Sequence, residues 1–110
     1  MIIDLKGMET TVLPNFKGGE KEFKAKMYFD GSNRIMHGCL PPGATIGLHN
    51  HETSSEAMYI TSGVGHAIYD GETVNLVAGD VHYCPKGHSH TLINDGDSDL
   101  TFFAVIPQQG

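Results

Sequence analysis

The sequence predicts an all-β fold with little or no helix, and three observations predict it. Fourteen glycines in 110 residues are nearly twice the usual share of about 7%. Clusters of Gly, Pro, Asn and Asp interrupt the chain at roughly the spacing of short strands, and few helix-forming runs lie between them. The runs that do lie there are short and rich in β-branched and aromatic residues, as in a sandwich or small barrel. A chain of this length makes one domain, spanning 1–110. It hides only about two thirds of the surface its unfolded form exposes, so self-association would add burial.

Taken in order, the first strand candidates are Ile2–Leu5, Thr10–Leu13 and Phe23–Phe29, separated by Pro14-Asn15 and a loop from Lys17 to Lys21. Lys17, Lys21, Lys24 and Lys26 cluster here, but Glu20 and Glu22 are interleaved with them, which describes a solvated loop rather than an anion site. Gly31-Ser32-Asn33 turns the chain into a strand from Arg34 to Leu40, which Pro41-Pro42-Gly43 ends. The stretch 43–63, GATIGLHNHETSSEAMYITSG, follows. On an extended strand, residues i and i+2 leave the same face, so His49 and His51 share one space and Asn50 points away. Glu52–Ser55 is a short polar connection, and Glu56 opens a strand that runs through Ala57–Thr61. If Glu56 faces the histidines, two imidazoles and a carboxylate meet, a set that suits borderline divalent metals. Met58 and Ile60 then continue the same face as an apolar wall.

Val64–Tyr69, Asp70-Gly71 and Glu72–Val77 form the clearest hairpin signal, because an Asp-Gly pair accepts the positive φ angles of a two-residue turn. Ala78-Gly79-Asp80 turns the chain again into Val81–Cys84. A Pro85-Lys86-Gly87 turn leads to Ser89–Ile93, which carries His90, and Asn94-Asp95-Gly96-Asp97 closes that segment. Leu100–Ile106 is apolar at nearly every position, as a strand covered on both faces would be, with a neighbouring sheet or a second subunit as the outer cover.

A histidine pair alone is more often surface or core than a metal site. Here, however, 43–63 and 79–94 together resemble the two motifs of the cupin superfamily. Gly43, His49, His51, Glu56 and Gly63 fill the first, and Gly79, Pro85, Gly87, His90 and Asn94 the second, with every spacing met. The resemblance implies a double-stranded β-helix, or jelly roll, with a metal in its mouth. It carries the ligand roles onto His49, His51, Glu56 and His90, holding one divalent transition metal per chain, with Fe, Mn, Zn, Ni and Co left open.

Four protein ligands on an ion that prefers six leave room for a molecule bound through two oxygens. Three neutral imidazoles and one carboxylate leave a net charge of about +1 on a divalent ion, favouring an anionic ligand. The resemblance implies a metal-dependent isomerase, lyase or dioxygenase acting on a small carbonyl, keto-acid or sugar-acid metabolite. The alternatives are a non-catalytic cupin that binds such a metabolite as a sensor or accessory protein, and a purely structural metal. Candidates for a catalytic group beside the metal are His88, His82, Tyr59 and Arg34, the only arginine, with His66, Tyr69 and Tyr83 nearby.

A net charge of −6 argues against a nucleic-acid partner, which draws on clustered Lys and Arg. The first residues lack the basic flank and apolar core of a signal peptide, and no run approaches the ~20 apolar residues of a membrane span. These features suggest a cytoplasmic protein with reduced Cys39 and Cys84. The apolar last strand and low charge suggest a homodimer.

Overall fold

In the computed structural model, residues 1–109 are described. Ten strands run in chain order: β1 (Thr11–Pro14), β2 (Glu22–Phe29), β3 (Asn33–Leu40), β4 (Thr45–Asn50), β5 (Glu56–Ser62), β6 (Val64–Tyr69), β7 (Glu72–Val77), β8 (Val81–Cys84), β9 (Ser89–Asn94) and β10 (Leu100–Pro107). The only helical piece among the described residues is a 3-10 turn at Phe16–Gly18, overlapping the start of the expected Lys17–Lys21 loop. The strands form two antiparallel sheets, one ordered β1-β2-β3-β10-β5-β8 and one ordered β4-β9-β6-β7.

Alternation decides which side chains meet between the sheets. On β5 the buried residues are Glu56, Met58 and Ile60, while Ala57, Tyr59 and Thr61 are exposed. On β9 they are His90, Leu92 and Asn94. Phe23, Leu40, Leu92, Leu100 and Phe102 fill the core between the sheets, each at most 1% exposed. Phe23 and Phe102 stack there with ring centroids 5.9 Å apart. The β6–β7 hairpin pairs Tyr69 with Glu72 across Asp70-Gly71. Both turn residues have the positive φ that the dipeptide predicts, 48° and 82°.

One expectation needs correction. Ile2–Leu5 is not a strand: Ile2 is 93% exposed, Asp4 Oδ1 accepts from the Gly7 N–H at 3.2 Å, and Leu5 lies beside Lys26, His37 and Phe103 on the outer face of the sheet. It has apolar residues but no sheet edge beside it. Within this chain no neighbouring sheet covers the outer face of β10. Leu100, Phe102 and Ala104 are fully buried, whereas Phe103 on the other face is 38% exposed.

Candidate metal centre

β4, β5 and β9 bring the four motif side chains to one point. His49 and His90 are cross-strand partners on β4 and β9, and Glu56 begins the inward face of β5 in the opposite sheet. His51, just past β4, is fixed by its backbone: its N–H donates to the His88 carbonyl at 3.0 Å, and its own carbonyl accepts from Gly87 at 2.7 Å. One ligand atom from each of His49, His51, Glu56 and His90 lies within 4.8 Å of all the others. His90 Nε2 is 3.0 Å from His51 Nε2, 3.1 Å from His49 Nε2 and 3.1 Å from Glu56 Oε1, and His51 Nε2 is 3.2 Å from the same oxygen.

The outer nitrogens show whether this donor set fits a cation. His49 Nδ1 lies 2.9 Å from the Gly47 carbonyl. That oxygen only accepts, so His49 carries its proton there and turns an unprotonated Nε2 to the centre. His51 Nδ1 meets Ser54 Oγ at 2.9 Å, and His90 Nδ1 meets His82 Nε2 at 3.0 Å. Both of these partners can donate or accept, so either ring can give up its Nε2 proton without losing its outer hydrogen bond. With neutral rings, the four close contacts at the centre share at most two protons, from His51 and His90. A cation in the middle meets every lone pair at once, so the residues fit a divalent metal.

The electrostatics agree. Burial opposes charge on Glu56, but ring N–H groups of His51 and His90 outweigh it and hold the carboxyl at about 2. Burial pushes the His49 and His82 imidazoles below their ordinary value. The site therefore offers an ionised carboxylate and, at His49, a ring biased towards its neutral form, as metal ligands require.

The cluster opens into a cavity of about 450 Å³, walled by Met36, Ile46, Met58 and Leu92 among others. Met58 and Ile60 face inward as the alternation predicts. Of the catalytic candidates, Arg34 lines this cavity. His82 is buried behind His90 and does not line it. His88 lies to one side, with Nδ1 on the Asp70 carboxylate and 3.4 Å from the Tyr69 hydroxyl. Tyr59 is on the opposite face of its strand, 47% exposed. The His88 and Tyr59 side chains are thus outside the cavity. Pro85 and Gly87 break the alternation before His88, and Tyr59 has the wrong parity relative to Glu56. His66 pairs with Asp95 at 2.6 Å on the surface.

Sequence reasoning missed the outer partners, Ser54 and the Gly47 carbonyl. Ser54 had a faint signal, a hydroxyl three residues after a candidate ligand. A backbone carbonyl has none. It set Lys17 in a solvated loop, and Lys17 is exposed there, at the border of the cavity.

No helix among the described residues is long and apolar enough to cross a membrane. A family profile described as "Cupin domain" matches residues 36–106. The chain is 37% identical to an "Oxalate-binding protein" of Thermotoga maritima, over 86% of this chain and 83% of that protein. It is 36% identical to the oxalate decarboxylase OxdC of Bacillus subtilis, over 61% of this chain but only 19% of that longer protein. A crystal structure of a predicted oxalate decarboxylase from Thermotoga maritima superposes with a TM-score of 0.91 at 32% identity, covering 98% of this chain and 99% of that one. Together with the two-sheet β-helix and its His/Glu cluster, these matches show that the chain belongs to the cupin family.

Proposed function

We propose that the chain holds one divalent transition metal through His49, His51, Glu56 and His90 and binds a small carboxylate there through two oxygens. The observation that carries this reading is the convergence of three imidazole nitrogens and a carboxylate oxygen, too close for the protons available, at the wall of an open cavity. A bound metal would supply Lewis-acid polarisation to a chelated carboxylate or carbonyl. The protein's part is to fix the ligand atoms from behind through Gly47, Ser54 and His82, and to keep the far wall dry with Met36, Met58 and Leu92. A dry wall strengthens the attraction between the centre and an anion. The relative named as oxalate-binding supports the ligand class.

Turnover is the second reading, as an isomerase, lyase or dioxygenase, and the similarity to an oxalate decarboxylase favours the lyase. Against it, the described cavity lining holds no imidazole or carboxylate beyond the four candidate ligands. A proton would have to move through Ser54, Lys17 or the bound molecule itself. We place the protein in the cytoplasm as a homodimer without a nucleic-acid or membrane partner, in keeping with its net charge of −6 and its exposed apolar sheet face.

The test is to purify the protein, measure bound metal and titrate oxalate calorimetrically. About one metal per chain, and oxalate heats that vanish on chelation and in His90→Ala, are the expected results. A protein that takes up no stoichiometric metal overturns the reading. Release of formate and carbon dioxide from oxalate over hours would choose decarboxylation over binding alone.

A further inference from the structure

Two cations line the cavity, Lys17 and Arg34. Among the described residues, neither has a carboxylate partner. Arg34, half-buried, sends Nη1 to Met27 Sδ at 3.6 Å and lies over the Phe29 ring, 4.7 Å from its centroid. Lys17 lies over Phe16 at 5.5 Å. In a chain with 13 acidic residues and seven Lys and Arg, the sole arginine faces a cavity with only sulfur and a ring for company. A guanidinium in that setting has its paired donors free for an incoming carboxylate.

Sheet register sets how far this charge stands from the metal ligands. Arg34 pairs with Ile106 on β10, and the Val105–Ala57 pair places Ile106 level with Glu56 on β5. The guanidinium leans the other way, towards Met27 and Phe29 on β2. In the order β2-β3-β10-β5, β2 and β5 are three spacings apart, about 14 Å along the sheet. The Arg34 and Glu56 backbones, on β3 and β5, are themselves two spacings apart, about 10 Å. Oxalate, two carboxyl carbons joined directly, is shorter than one spacing. The cavity of about 450 Å³ matches the volume of some fifteen water molecules at ~30 Å³ each, and the six heavy atoms of oxalate would leave most of it unfilled.

We infer that the ligand is an elongated dicarboxylate, one end chelated at the metal centre and the other seated on Arg34, with its methylene body along Ile106 and Met36. This rests on the metal reading above and names the substrate class for the same site. Arg34 stands beside the apolar Ile106 and Met36 in its sheet, a cationic end next to an apolar stretch, which is the charge pattern of half of such a molecule in negative.

Calorimetric titration of the Mn(II)-loaded protein with oxalate, malonate, succinate, glutarate and adipate, and with hexanoate as a one-ended control, tests it. Affinity should rise along the series by about tenfold or more, the gain of one charge-assisted pair, and peak between succinate and adipate. Hexanoate should not share the gain. Arg34→Gln should abolish it and Arg34→Lys keep part of it, while both variants take up Mn(II) as the parent does. If oxalate binds as tightly as every longer acid, or if Arg34→Gln keeps the gain, the inference is overturned and the metal reading stands. If no acid binds, oxalate included, the carboxylate reading falls and takes the inference with it.

Discussion

His90 reaches the centre with Nε2 and is held from behind by His82, whose own ring is 5% exposed and pushed below its ordinary pKa by burial. Replacing His82 with Phe keeps the volume but removes the acceptor for the His90 Nδ1–H. Groups in that position are worth about 10- to 100-fold in metal affinity. His82→Phe should therefore lose affinity by that order in competition with a coloured chelator, and His82→Gln, which can still accept, should recover part of it. Equal affinity for the wild type and His82→Phe would show His82 to be mere filling. Met58, 1% exposed, poses the contrasting case of a wall residue with no polar role. Met58→Ala should cost about 2–5 kcal/mol in chemical denaturation while leaving metal uptake intact. At this scale the four converging side chains were legible, because they fill the motifs that the sequence shares with cupins. The roles of His82 and Ser54 were not, because a hydrogen bond to the back of a ring depends on where two strands meet.

The wall that carries Lys17 meets β4 closely: the Thr45 N–H donates to the Glu20 carbonyl at 3.0 Å, and Thr45 Oγ1 accepts from the Glu20 N–H at 2.7 Å. A Cβ at Gly47 would collide with the Lys17 carbonyl oxygen, and one at Gly19 with the Thr45 carbonyl oxygen. The turn 15–19 therefore lies flush against β4, and the chain buys that closeness with left-handed φ at Asn15 (53°) and Lys17 (56°), a conformation uncommon for residues other than glycine. Gly47→Ala should force the two apart, lowering stability by about 1–3 kcal/mol. Hydrogen exchange at 15–21 should speed up more than in the β6–β7 hairpin; a uniform change across the chain would argue against this local clamp. The strand pattern itself was readable. Asp70-Gly71 and the alternation on β5 each carry local rules that need no partner to be seen. Ile2–Leu5 failed because apolar composition does not supply a free strand to pair with.

Across the whole molecule, the six-stranded sheet leaves an apolar outer face. Tyr59 lies opposite Phe103, which in turn pairs with His37, and Tyr83 lies opposite Ala57. Val81 and Tyr83 are 63% and 53% exposed. Covering such a face is the natural role of a second copy. Solution scattering should give about twice the monomer mass, and Tyr59→Glu with Phe103→Glu should halve it. A wild-type monomer at micromolar concentration would refute the dimer.

The response to acid is also a property of the whole fold. Burial keeps His49 and His82 neutral while unfolded rings protonate below about 6.5, so the unfolded state binds more protons and stability falls as pH drops through that value. Glu56, at about 2 against an ordinary 4.5, adds stability that is present above 4.5 and lost as pH falls towards 2. Denaturation midpoints of the metal-free protein should thus stay level above about pH 7 and decline as pH falls through about 6.5 to about 4. A flat profile would mean that the rings are protonated in the fold.

The sequence by itself determined the β class and the hairpin, because turn chemistry and strand composition are properties of short stretches, and its resemblance to cupins named the four side chains that the fold brings together. Only the tertiary structure decided that Arg34 faces the cavity while Tyr59 and the His88 ring lie outside it. It also decided that Lys17 joins the wall and that His82 stands behind His90. Those placements depend on register between strands far apart in the chain, and register is set by how two sheets close on a shared core.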